Sequence, residues 1–191
     1  MKIKNKIIDC DTEKFDVTGG SYCNYKGHDV FVYGALPGEQ VKATVLKQRR
    51  KKCEAIAISI MKASPIRVKA VEYHFLSCSP WQIISFADEN FWKKKIAEEV
   101  FKENAGIEFE NLEIVSSQNR YEYRNKMEFS FAKTDNGLSL AFHNRAKKVS
   151  KCPIENCLLA LKSINESASF ILEWIKKSGF PDEILKSLLI R

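Results

Sequence analysis

An alternating run of eleven residues in the second half of the chain most narrows the folds open to it. Residues 121–131 read YEYRNKMEFSF. Over most of this run, aromatic and apolar side chains fall on one face and charged or hydroxyl side chains on the other, which is the period of two of a β-strand. The pattern predicts one long strand with a buried face and a polar face. An ordinary amphipathic strand has the same pattern, so the run by itself fixes no function.

The first sixty residues contain five short strand-like runs separated by turn residues. The runs are residues 2–10, 17–22, 30–32, 40–47 and 55–61. The turns between them carry Gly19-Gly20, Lys26-Gly27 and the triplet LPG at residues 36–38. Short strands with Gly and Pro turns predict a small closed β-barrel of the OB type. Barrels of this type often bind single-stranded or looped nucleic acid on one face.

Positive charge is in excess and is concentrated at one predicted hairpin tip. The chain has 31 Lys and Arg against 24 Asp and Glu, a net charge of +7. This balance favours an acidic partner, most simply nucleic acid, although a solvated basic surface is the alternative. The predicted tip contains Lys47, Arg49, Arg50, Lys51 and Lys52. These side chains are candidates for phosphate contact, and a solvated turn is again the alternative.

Several classes of protein are disfavoured. No apolar run approaches the roughly 20 residues of a membrane span, and the N-terminus lacks the pattern of a secretory signal peptide. We therefore expect a cytoplasmic protein without membrane partners. The six cysteines are scattered and form no CxxC pair, so we expect mostly free thiols. The same scatter disfavours a redox or metal protein built on the cysteines.

The remaining pattern predicts helices and strands in the second half of the chain. Periodic apolar residues predict helices over residues 88–104 and 154–178. Strands are predicted over residues 112–116 and 138–143, and an apolar run closes the chain at residues 183–191. The Asn136-Gly137 pair predicts a type I′ hairpin turn.

Two stretches resemble one enzyme family. The segments YRNKMEFSF and AFHNRAKK, with Gly137 between them, resemble a central segment of the RNA uracil-5-methyltransferases. These enzymes use S-adenosylmethionine and a cysteine nucleophile. Residues 30–68, which include the GALPGE turn, resemble a TRAM domain, the small RNA-binding barrel of the same enzymes. The resemblance implies an α+β fold, with a five-stranded TRAM-like barrel in residues 1–63 and a central domain of mixed antiparallel sheet and helices in residues 64–191.

The resemblance also implies RNA contacts in the central domain. The candidates are Arg124, Lys126, His143 and Arg145. The alternative for Arg124 and Lys126 is salt bridging to Glu122 and Glu128 on the same face of the predicted strand.

Many members of the family hold a 4Fe-4S cluster with four cysteines, and this chain keeps only part of that pattern. The first position, two residues before His74, is Glu72. Cys78 stands at the second position, and the third position is not Cys. Cys157 fits the fourth position best, and Cys152 is the next-best candidate. Because such a cluster ordinarily requires four thiolates, we expect no cluster and treat His74 and Cys78 as packing residues. A zinc site from His74, Cys78 and a late cysteine is the alternative.

The family's catalytic features are not found in these residues. No Gly-rich turn suited to a nucleotide-like cofactor is present, and no late cysteine lies in a suitable loop motif. In the family both belong to a C-terminal Rossmann-like methyltransferase domain, which we expect to be missing here. We therefore expect this chain to bind tRNA or rRNA, to hold no S-adenosylmethionine site and not to methylate RNA alone. The alternative is a stand-alone, non-enzymatic RNA-binding protein derived from the family.

Overall fold

The computed structural model describes residues 1–144 and 150–191, which form two compact units. Unit 1 comprises Met1–Val71 and Ser79–Ser116, and unit 2 comprises Glu72–Cys78 and Ser117–Arg191. The domain boundary expected at residue 63 remains a prediction. Both units combine sheet and helix, so the predicted α+β class is confirmed. In the described residues, no helix is long and apolar enough to cross a membrane.

Unit 1 is built on a six-stranded mixed sheet. Its strands are β1 (Ile7–Asp11), β2 (Lys14–Phe15), β3 (Ser21–Tyr25), β4 (His28–Tyr33), β5 (Gln40–Arg49) and β6 (Lys52–Lys62). They lie in the order β1-β5-β6-β4-β3-β2. The β4 and β6 strands pair in parallel and the other neighbours are antiparallel.

Alternating side chains place the core of unit 1 on one face of this sheet. Val41, Ala43 and Val45 of β5 are buried, and the residues between them are half-buried. Val30 and Val32 of β4 join the same apolar cluster. The pairing of β5 with β6 shifts register at three points, and such irregularities increase the local twist of a sheet. Two long strands can therefore curve around a small core.

Helix α2 (Phe86–Ala105) completes unit 1, whereas the shorter α1 (Phe75–Cys78) belongs to unit 2. Ser85 caps its N-terminus, where the hydroxyl oxygen accepts a hydrogen bond from the Asp88 amide at 3.0 Å. Gly106 ends it in the left-handed conformation, with φ of 65°. Trp92 packs against Phe15 of β2, with ring centroids 4.9 Å apart. The helix predicted over residues 88–104 is confirmed within two residues at each end.

Unit 2 is a four-stranded antiparallel sheet with two helices. Its strands are β7 (Met127–Thr134), β8 (Gly137–His143), β9 (Lys151–Ile154) and β10 (Ser187–Ile190), in the order β10-β7-β8-β9. The helices are α1 (Phe75–Cys78) and α3 (Lys162–Ser178). Phe129 and Phe142 stack at the centre of the core, and Ile164 and Ala168 of α3 belong to the same cluster.

The long strand predicted over residues 121–131 is wrong in its first half. Strand β7 begins at Met127. Before it, Glu122 takes a positive φ of 55° and Arg124 forms one isolated parallel bridge with Ala160. The amides of residues 122–124 donate to the carbonyls of Leu158 and Leu159. These bonds to a distant loop satisfy the backbone, so the alternation of side chains does not become a strand.

Three further predictions are corrected by the structure. Residues 112–116 form no strand. The helix predicted over residues 154–178 begins only at Lys162, because residue 154 ends β9 and the Asn165 side chain bonds the backbone of Cys157 in the loop between the two elements. The hairpin after β7 is not type I′, which needs positive φ at both central residues. Its positive φ, 93°, lies instead at Gly137, the residue that starts β8.

Candidate functional site

The tip of the β5–β6 hairpin carries four cationic side chains in succession. Arg49 and Lys52 form the last strand pair, and Arg50 and Lys51 make the turn, with Arg50 at φ of 57°. All four residues are exposed. Within residues 1–144 and 150–191, none of the four has a carboxylate at ion-pair distance. The hairpin therefore presents four positive charges that nearby acids do not neutralise.

Lys47 differs from the tip residues because it is paired on the sheet. Its Nζ atom lies 2.7 Å from Oε2 of Glu54 on the neighbouring strand, and the Tyr33 hydroxyl donates to the same oxygen at 3.3 Å. The ammonium group is thus partly neutralised before any ligand arrives. We expect Lys47 to contribute less to anion binding than the tip.

An open groove of about 730 Å³ lies beside β3 and β4 in unit 1. Its aromatic wall is formed by Tyr22, Phe31 and Tyr33, with successive ring centroids 5.4 and 4.7 Å apart. Aromatic rings of this kind can stack on bases. However, the lining contains four carboxylates and only two lysines, Lys14 and Lys52. The groove is therefore a poor match for a phosphate backbone, since like charges repel.

The lysine on the β2 side of this groove is also neutralised. The Nζ atom of Lys14 lies 3.0 Å from Glu99 and 3.1 Å from Glu103, both on α2. The hydrogen bonds that Lys14 donates to these two carboxylates raise the pKa of Lys14. This pairing leaves the hairpin tip as the better site for a polyanion in unit 1.

The candidates in unit 2 do not share one polar strand face. Lys126 is exposed just before β7, and His143 is exposed at the end of β8, with Nε2 3.0 Å from Oγ of Ser130. Arg124 is half-buried, and its guanidinium lies over the Tyr123 ring at 5.9 Å. The described ion pairs include neither of the salt bridges that were the alternative to RNA contact for Arg124 and Lys126. Arg145 lies outside the described residues.

Unit 2 also contains a buried cluster of Glu72, Cys78 and Cys157, here called the thiol–carboxylate cluster. The three residues are 7%, 6% and 0% exposed. One ligand atom from each lies within 4.8 Å of the other two, and the Cys78 thiol donates to Oε2 of Glu72 at 3.4 Å. Two thiols and one carboxylate therefore meet in a space that bulk water does not reach.

Backbone contacts hold this cluster in place. Oε1 of Glu72 accepts a hydrogen bond from the Leu158 amide at 2.7 Å. The side-chain amide of Asn165 on α3 accepts from the Cys157 amide and donates to the Cys157 carbonyl, each at 3.0 Å. These bonds fix the loop that carries Cys157. The cluster is consequently ordered by α3 and by the segment before α1.

His74 is the nearest titratable neighbour of the cluster. Its Nε2 atom lies 3.4 Å from Oε1 of Glu72 and 3.0 Å from the Asn156 carbonyl. The residue is 4% exposed, and its Nδ1 atom has no hydrogen-bond partner in the described part of the chain. The imidazole therefore lies beside the carboxylate, in position to orient it.

The pKa values of the two thiols shift in opposite directions because the thiols share a hydrogen bond. The hydrogen bond between them lowers the pKa of Cys157, and the positive charge of Arg124 acts in the same direction. The same hydrogen bond, together with burial, raises the pKa of Cys78.

This donor set does not match the 4Fe-4S cluster that the family resemblance implies. Such a cluster takes four cysteine thiolates. Here one of the three converging donors is the Glu72 carboxylate. Cys152, the other late cysteine, lies on β9 and is not a member of the group. Sequence reasoning treated Glu72 only as a lost ligand, although an acidic residue at a ligand position was the available signal.

No family model matches the chain, but RNA methyltransferases match it over most of its length. An uncharacterized RNA methyltransferase of Caldanaerobacter subterraneus is 24% identical over 93% of this chain. Proteins with the same description from Clostridium acetobutylicum and Aquifex aeolicus are 27% and 28% identical over 88% and 91% of it. The chain spans 37–40% of the length of these relatives. These matches confirm the predicted resemblance to RNA methyltransferases.

A solved structure matches the same fold. The tRNA (uracil-54, C5)-methyltransferase of Pyrococcus abyssi, in complex with S-adenosyl-L-homocysteine, superposes on 89% of this chain with a TM-score of 0.61. The identity is 18%, and the match covers 37% of that chain. The likeness therefore concerns the fold.

Proposed function

We propose that this chain is the RNA-binding part of an S-adenosylmethionine-dependent RNA (uracil-5-)methyltransferase that acts on tRNA or rRNA. The names of the relatives support the reaction class. The solved neighbour, a tRNA uracil methyltransferase with a bound S-adenosylmethionine product, supports the uracil substrate and the cofactor. In this proposal the sheet of unit 1 is a TRAM-type OB barrel. The observation that carries the RNA-binding role is the unneutralised tip of the β5–β6 hairpin.

The expected contribution of the tip follows from counterion release. For a single-stranded polyanion, the slope of log K against log salt is about −0.7 for each phosphate contact, so four contacts give about −2.8. Between 50 and 200 mM salt, a slope of this size weakens binding about 50-fold. Loss of the four tip charges should remove that part of the salt dependence.

The test measures binding of labelled tRNA and rRNA fragments across a salt series. The tip variant combines Arg49→Gln, Arg50→Asn, Lys51→Gln and Lys52→Gln. Asn is chosen at position 50 because it tolerates the positive φ of that residue. The control substitutes Gln for four other exposed lysines that belong to none of the described ion pairs, Lys62, Lys69, Lys177 and Lys186. Each variant changes the net charge from +7 to +3, since four positive charges are removed.

We expect the tip variant to lose most of its affinity for RNA, and its slope of log K against log salt to become less negative by about 3. The control should bind nearly as the parent chain does. Equal losses in both variants would show that net charge, and not the hairpin, attracts RNA. Binding by the parent chain that does not respond to salt would contradict the phosphate contacts altogether.

A further inference from the structure

The thiol–carboxylate cluster has the donor types of a transition-metal site. Thiolate sulfur and carboxylate oxygen both bind Zn²⁺, and three protein ligands with a fourth position left to another ligand is a recurring zinc arrangement. Hard cations such as Mg²⁺ and Ca²⁺ prefer oxygen ligands alone, so two sulfurs exclude them as preferred occupants. The donor set therefore selects a borderline or soft divalent metal.

The spacing of the donors also fits a single metal ion. With Zn–S near 2.3 Å and Zn–O near 2.0 Å, a tetrahedral centre places sulfur and oxygen about 3.5 Å apart and two sulfurs about 3.8 Å apart. The measured separation of Cys78 Sγ from Glu72 Oε2 is 3.4 Å. All three ligand atoms lie within 4.8 Å of one another. Only small side-chain movements are needed to close the donors on one ion.

The surroundings suit the charge of the occupied site. Two thiolates and one carboxylate around a divalent ion leave a net charge of −1, and the guanidinium of Arg124 acts electrostatically on Cys157. His74 lies 3.4 Å from the carboxylate, on the Oε1 side, away from the oxygen nearest Cys78. Metal-ligating carboxylates commonly have such outer partners, which orient the ligand.

We propose that Glu72, Cys78 and Cys157 bind one Zn²⁺ ion in place of an iron–sulfur cluster. Binding releases two thiol protons to solvent, leaving both sulfurs as thiolates and the carboxylate as the third ligand. His74 acts as a positioning residue for Glu72. The ion stabilises unit 2 by joining the segment before α1 to the loop before α3. This proposal is independent of RNA binding by the hairpin tip.

The test uses the reduced, metal-free chain titrated with Co²⁺ and then with Zn²⁺ under anaerobic conditions. Co²⁺ bound to thiolates gives a sulfur-to-metal charge-transfer band, and tetrahedral Co²⁺ gives strong visible d–d bands. Displacement by Zn²⁺ in the presence of a chromophoric chelator measures the zinc affinity. Cys78→Ser, Cys157→Ser and Glu72→Gln remove one donor each. Cys152→Ser is the matched control, since Cys152 lies on β9 outside the cluster.

We expect one equivalent of metal, and a charge-transfer band that falls by about half in each cluster Cys→Ser variant because its intensity follows the number of thiolates. Affinity should fall in the cluster variants by more than the roughly 10–100-fold that loss of an outer-shell partner costs. Cys152→Ser should bind as the parent chain does. Failure of the reduced chain to bind Co²⁺ would overturn the proposal. So would full binding by both cluster Cys→Ser variants, or anaerobic isolation with stoichiometric iron and inorganic sulfide.

Discussion

Glu39, the last residue of the GALPGE turn, is fully buried, and every group facing its carboxylate in the described structure is a donor. Oε2 accepts from the Leu36 amide at 2.9 Å and from Nη2 of Arg67 at 2.7 Å. Oε1 accepts from the Ser64 amide at 3.1 Å and from Nε of Arg67. The carboxylate thus joins the turn before β5 to the segment after β6. We predict that Glu39→Gln strongly destabilises unit 1.

The size of the effect follows from these contacts. Gln keeps one acceptor oxygen but turns an NH₂ group toward the remaining donors, and it leaves the guanidinium of Arg67, 19% exposed, without its counter-charge. Breaking a buried ion pair by removing one partner costs about 3–5 kcal/mol. With a urea m-value of about 2 kcal/mol/M, a loss of 3 kcal/mol lowers the unfolding midpoint by about 1.5 M.

The assay is urea unfolding followed by tryptophan fluorescence in a Trp174→Phe background. The remaining tryptophans, Trp81 and Trp92, both lie in unit 1, so the signal reports that unit. Glu13→Gln, which removes an exposed carboxylate from unit 1, is the control and should shift the midpoint little. A free-energy loss below about 1 kcal/mol for Glu39→Gln would refute the reasoning, because that is the scale of an exposed ion pair.

Two further predictions concern a glycine and a tyrosine of unit 1. Gly19 and Gly38 share a φ near 80°, but a Cβ atom at Gly19 would lie 2.8 Å from Pro80, whereas a Cβ atom at Gly38 would have nothing within 4 Å. In urea unfolding, Gly19→Ala should therefore lower the free energy of unfolding by about 1–3 kcal/mol more than Gly38→Ala does. Equal losses for the two variants would contradict this packing. Burial and then the Asp16 carboxylate raise the pKa of Tyr22 to about 12. The pKa of Tyr22 is thus higher in the folded chain than its value of about 10 in the unfolded chain. The contribution of Tyr22 to the free energy of unfolding is therefore fully present below about pH 10 and is lost as the pH rises to about 12. Phenolate absorbance should show a late-titrating tyrosine that Tyr22→Phe removes; an unchanged titration curve would exclude the assignment.

Local signals were sufficient for parts of the fold. The period of two correctly places Met127, Phe129 and Phe131 in the core of unit 2. Helix α2 was predictable because its apolar residues recur at helical spacing and Gly106 is a local stop signal, whereas the capping residue Ser85 places its start two residues earlier than predicted. In both cases the information lies within a few residues of the element itself.

Long-range bonds explain where the sequence pattern failed. Residues 121–126 alternate like a strand, but the amides of residues 122–124 donate to the carbonyls of Leu158 and Leu159, which no local pattern reveals. The start of α3 is similar, since the Asn165 side chain bonds both backbone groups of Cys157 and fixes the residues before the helix as a loop. The same loop brings Cys157 to Glu72. This one loop therefore accounts both for the wrong predicted start of α3 and for the failure to recognise Glu72 as a donor.

The position of the RNA-binding surface is also beyond a local reading of the sequence, because composition gives the net charge but not where unpaired charges lie. A net charge of +7 is compatible with RNA binding by either the aromatic groove or the hairpin tip. The groove has the rings that a base-stacking surface needs, but carboxylates outnumber lysines in its lining. In the sequence, the run of cations at the tip includes Lys47. In the structure Lys47 is paired with Glu54, so only the four charges of residues 49–52 are unneutralised. A salt slope near −2.8, and not the −3.5 or so of five contacts, is therefore the signature expected of this hairpin.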